Sequence, residues 1–202
     1  MQVVLGRSSV VAGLALTMTM LGWPLGATIA ARTYHRIGLA RSVLIGAVMV
    51  PLGASAFALL APDSSPVLAG LGSLVIGLGM GILSLASLIL IQQGVALSEM
   101  GSATASNLFS RNLGSALGAT LFGAIFNYGL TSRNGGVAFT DEQLRALLQT
   151  SSSALGSAQA GLRDSMGSSL HLTFIAMFAI SLVIVVLALL LPTAEQERRL
   201  PA

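Results

Sequence analysis

Five apolar runs, at residues 8–31, 42–61, 67–91, 104–129 and 170–191, dominate this sequence. At 1.5 Å of rise per residue, roughly 20 apolar residues cross the hydrocarbon core of a bilayer as a helix. None of the five runs contains Asp or Glu: Asp63, Glu99, Asp141, Glu142, Asp164, Glu195 and Glu197 all fall between runs or in the tail. Arg111 alone places a formal charge inside one. Lipid offers no partner to a bare N–H or C=O, so a continuous run of this length can cross only as a helix. The expected fold is therefore all-α, a polytopic membrane helix bundle of five transmembrane helices forming one membrane domain over residues 1–202.

Composition closes the alternatives. Only 8% of the 202 residues are charged and 54% are apolar, whereas a soluble domain carries roughly a quarter charged residues. Too little charge is present to clothe a water-facing surface, and the lipid bilayer is the expected partner. Cysteine is absent, which removes disulfides, thiol nucleophiles and thiolate metal sites. No HExxH, GxSxG or Walker loop occurs, and no acids pair within the runs, so neither an enzyme, a metal nor a cofactor is expected. The net charge of +3 rests on ten cationic residues, all arginine, against seven acids. These arginines read as anchors of cytoplasmic loops; no nucleic-acid partner is expected.

The connections set the expected layout. RTYHRIGLAR, residues 32–41, is a short basic loop with three arginines, which the positive-inside rule assigns to the cytoplasm. PDSSP, 62–66, is an outward turn, and residues 92–103 return to the cytoplasm. Residues 130–169 form a polar extracytoplasmic loop. In it Thr140 and Gln143 have capping-box spacing, and Leu144, Leu147 and Leu148 make an apolar face, so an amphipathic helix is expected at about 140–150. A charged tail, 192–202, is expected in the cytoplasm and the N-terminus outside. The run after Arg7 is too long for a secretory signal.

Within the runs, small residues mark where helices approach. Gly22 and Gly26, then Gly77, Gly79 and Gly81, then Gly114 and Gly118, are expected to be close-packing sites. Pro24 and Pro51 interrupt backbone hydrogen bonding in two runs. Arg111 has three readings: its guanidinium snorkels to the inner interface, bonds a neighbouring helix, or meets substrate. Asn107, Asn112 and Asn127 read as hydrogen-bonding groups between helices or toward substrate. Trp23 and the methionines either pack or line a greasy cavity. His171 is the one titratable group near the membrane path apart from arginine.

The order of these features resembles the C-terminal half of a major facilitator superfamily transporter, and within it the 14-helix drug:proton antiporters, or multidrug-resistance exporters. The carrying residues are GWPLG, the basic RIGLAR, GLGMG, RNLGSALG, the long outer loop and the last run. Arg36, Gly38 and Arg41 match the family's G-x-x-x-D-R-x-G-R-R loop, although Ala31 replaces its leading glycine and His35 its aspartate. Arg111-Asn-Leu-Gly resembles the R-Q-x-G that opens the branch's penultimate helix. The resemblance implies a partial transporter, whose N-terminal half, coupling acids and antiporter signature lie elsewhere. It implies a proton-coupled multidrug efflux protein, with a small hydrophobic or cationic substrate, that does not transport alone. A missing transporter half or partner membrane chain would complete it. The alternative is a non-transporting subunit that completes a bundle with another chain.

Overall fold

The computed structural model describes residues 9–59, 66–133 and 157–191. Among them are five α-helices and no strand: α1 (Ser9–Ile37), α2 (Leu39–Ala58), α3 (Pro66–Gln93), α4 (Met100–Arg133) and α5 (Ser157–Leu189), with a 3-10 turn at Leu97–Glu99 before α4. The chain is an all-α membrane bundle. Four helices, α2 to α5, are long and apolar enough to cross a membrane among the described residues. The described part of α1 is diluted by Thr17, Thr19, Gly22, Trp23, Pro24, Gly26 and Thr28. The expected fifth span, 8–31, is thus not among the four, although α1 lies along α3.

The helices run further than the apolar runs. RTYHRI carries charge but no breaker, and its backbone stays helical to Ile37. The expected ten-residue basic loop is thus a single residue, Gly38, with φ 87°. That left-handed conformation suits glycine, since a Cβ would crowd the following carbonyl. The Gly38 amide donates to the Tyr34 carbonyl at 2.8 Å, while its own carbonyl accepts from the Ser42 amide at 3.1 Å and the Ser42 hydroxyl at 2.9 Å. Pro24 and Pro51 sit inside α1 and α2 without ending them.

The expected loop at 92–103 is likewise shorter. Helix α3 continues to Gln93, and α4 starts at Met100. Gln92 donates from Nε2 to Thr104 Oγ1 at 3.1 Å, and Thr104 Oγ1 donates to the Met100 carbonyl at 2.8 Å. The outer loop is also trimmed at both ends, because α4 runs to Arg133 and α5 begins at Ser157. No proline falls in either extension. The amphipathic helix expected at about 140–150 and the tail 192–202 lie outside the described residues.

Helix α3 is the hub. It packs along α1 on one side and α2 on the other, while α1 and α2 touch little despite their one-residue joint. The glycines explain the arrangement. Successive residues of a helix turn by about 100°, so Gly77 and Gly81 share a face and Gly79 points roughly opposite. A Cβ at Gly77 would collide with the Thr19 carbonyl oxygen of α1, and one at Gly81 with that of Trp23. A Cβ at Gly79 would instead meet Met49 Cβ of α2 at 2.9 Å. Reciprocally, a Cβ at Gly22 of α1 would lie 2.7 Å from the Leu74 carbonyl oxygen, and one at Gly46 of α2 2.7 Å from the Leu83 amide nitrogen. Such backbone contact is how helices associate in lipid, where water exclusion gives no advantage.

Helix α2 also packs against α5, through a tilted Phe57–Phe174 pair with ring centroids 5.4 Å apart and a small core in which Val43 and Ala47 of α2 and Ala188 of α5 meet Ala86 of α3. Helix α5 in turn holds α4, where a Cβ at Gly129 would meet Ser169 Oγ at 2.9 Å. Contact of α4 with α3 is slight. The lateral order is therefore α1, α3, α2, α5, α4.

Candidate functional site

The two ends of that lateral order meet at one place. The Arg111 guanidinium of α4 lies over the Trp23 ring of α1, its Cζ 4.3 Å from the centroid. A cation over an indole face is attracted by the ring quadrupole, by about 0.5–1 kcal/mol where exposed and about 2 or more when desolvated. Because α4 starts at Met100, Arg111 lies about 16 Å along the helix axis. Trp23 is the midpoint of α1, and its backbone is level with Gly81, near the middle of α3. The guanidinium is therefore directed at the midpoint of α1, the neighbouring-helix contact among its three readings. Among the described residues it makes no other polar contact.

Asn107, Gly114 and Gly118 share a face of α4 with Arg111, at spacings of four, three and seven. Asn107 is half-buried and Arg111 exposed. Gly114 and Gly118 do not pack as expected. Among the described residues a Cβ at either would meet nothing within 4 Å, so their face is open there. The physical reason is the thin packing of α4, which rests on α5 near Gly129 and elsewhere makes only slight contact with other helices among the described residues. Asn112 sits about 100° away from Arg111 and is exposed, as is Asn127. His171 of α5 is exposed and is not brought to Arg111.

The basic corner is separate from this site. Arg32, Arg36 and Arg41 surround Gly38, and all three are exposed. Tyr34 and His35 stack with ring centroids 3.7 Å apart. Gly77 and Gly81 contribute to the site indirectly, since their close approach to α1 fixes the depth of Trp23.

The packing positions that escaped the sequence reading are Gly72 and Gly129 and, on α2, Gly46 and Gly53. The latter two are seven residues apart, two helical turns on one face, and that spacing is the signal that could have found them.

No protein-family model matches the sequence. Over 127 residues the chain is 28% identical to the multidrug transporter protein MdtP of Bacillus subtilis, an alignment covering 63% of this chain and 24% of that protein. The chain thus spans about a quarter of the length of that relative.

Proposed function

We propose that this chain is part of a transmembrane exporter of the major facilitator type, similar to the proton-coupled multidrug efflux proteins. In this reading it works in the bacterial inner membrane together with further transmembrane helices, supplied by a missing transporter half or a partner chain. The observation that carries the reading is the open face of α4. There a charged side chain and two glycines that no described residue covers lie within an apolar run. A face of that kind is expensive against lipid and useful at a transport path between two halves. The likeness to MdtP supports it, and so does the extent of that likeness, a quarter of a longer protein.

The acid-free spans leave the chain without a carboxylate to carry protons, so coupling belongs to the rest of the assembly. They equally favour the alternative of a non-transporting subunit. The exposed arginines at the α1–α2 corner support an orientation with that corner in the cytoplasm, the N-terminus outside and the C-terminus inside.

Reconstitution tests this. The chain alone in proteoliposomes with an imposed proton gradient should move no ethidium, and an N-terminal tag in whole cells should be reachable from outside. Ethidium efflux by the chain alone would overturn the partial-transporter reading. A tag reachable only after permeabilisation would overturn the orientation.

A further inference from the structure

We propose that Arg111, laid across Trp23 beside the open Gly114–Gly118 notch, binds the anionic head of an amphipathic organic acid within the membrane. The proposal deepens the exporter reading by naming a substrate class. Its test is binding rather than transport, so either idea can fail alone.

Four observations converge. The first is position: the guanidinium is held over the midpoint of α1 by an aromatic face rather than a carboxylate. The second is unused bonding capacity. A guanidinium carries five N–H donors at its edge. The ring contact offers these donors no hydrogen-bond acceptor atom, and no other polar contact is made among the described residues. A cation in that state at bilayer depth is costly, and a bidentate carboxylate is the partner that matches its fork geometry.

The third is the sign of the local charge. The apolar runs contain no Asp or Glu, so a cationic ligand would find no countercharge and would face Arg111 directly. An anion meets the reverse. The fourth is room. Gly114 and Gly118 lie on Arg111's own face of α4, one and two turns along, and no described residue approaches within 4 Å of the space a Cβ would take. An apolar body attached to the carboxylate can lie in that notch. This favours an organic acid over the small hydrophobic or cationic substrate expected from the sequence.

Trp23 is the single tryptophan of the chain, so intrinsic fluorescence reports this site. The full chain in phosphatidylcholine nanodiscs, free of anionic lipid, is titrated with 4-bromobenzoate, 4-bromobenzamide and 4-bromobenzylammonium, whose bromine quenches indole. The benzoate should quench saturably and bind roughly ten-fold more tightly than the other two, the scale of one charge-assisted pair. Arg111→Gln should abolish that preference and Arg111→Lys should retain part of it. Gly114→Leu should weaken the benzoate while helical circular dichroism is unchanged. Equal or tighter binding of the ammonium compound to the wild-type chain would overturn the proposal, as would an undiminished benzoate preference in Arg111→Gln. If Arg111→Gln loses its helical signal, the three-ligand order in the wild type and in Arg111→Lys decides the matter.

Discussion

Glycines in this chain do three different jobs, and a side chain added at each tests which. At Gly81 a Cβ would run into the Trp23 backbone. Gly81→Leu should therefore force α1 and α3 apart, costing about 1–3 kcal/mol or more as an overpacked contact. Gly114→Leu enters open space, and its effect on stability should stay within about 0.5 kcal/mol. Thermal unfolding of both variants in detergent, read by Trp23 emission, should show a clear loss for the first and almost none for the second. Gly38 is different again. It has room for a methyl group but a backbone that disfavours one. Gly38→Ala should cost roughly 1–2 kcal/mol in the same assay, from conformation alone. Arg36 and Arg41, which flank it in the motif, are exposed and should tolerate neutral replacement without loss of stability.

Among the elements, α3 and α4 are opposites. Helix α3 is flanked along its length by α1 and α2 through backbone contact, whereas α4 holds mainly to α5. Helices with few partners open more readily. Amide hydrogen exchange in nanodiscs should be slowest along 72–86 and faster along 108–120, and equal protection of the two stretches would contradict this packing. The contrast also shows what the sequence could reveal. Alternate glycines at 77, 79 and 81 signalled close approach, but that they serve two partners follows only from the 100° turn once α3 is known to lie between α1 and α2. Gly114 and Gly118 carry the same small-residue pattern, yet no helix meets them among the described residues. Spacing records the capacity for contact and is silent about the neighbour. Arg111 was recognisable as costly, but its direction was not, because that depends on where α1 places Trp23. Helix ends were misread for a related reason. Arginines mark the membrane boundary, while the backbone stops only where a residue such as Gly38 breaks it.

At the scale of the molecule, the one-residue joint and the wedge together constrain how the bundle comes together. Helices α1 and α2 leave Gly38 as neighbours in sequence, yet each saves its notched face for α3. The third helix fills a gap that the first two must keep open. A chain stalled on the ribosome before residue 66 should hold α1 and α2 as loosely paired rods, and cysteines placed at Thr19 and Met49 should cross-link poorly in it. Once residues 66–93 have emerged and threaded between them, the same two positions should become fixed on opposite flanks of the newcomer. Birth order is thus written into the joint: the hairpin that is made first waits, ajar, for the helix that locks it.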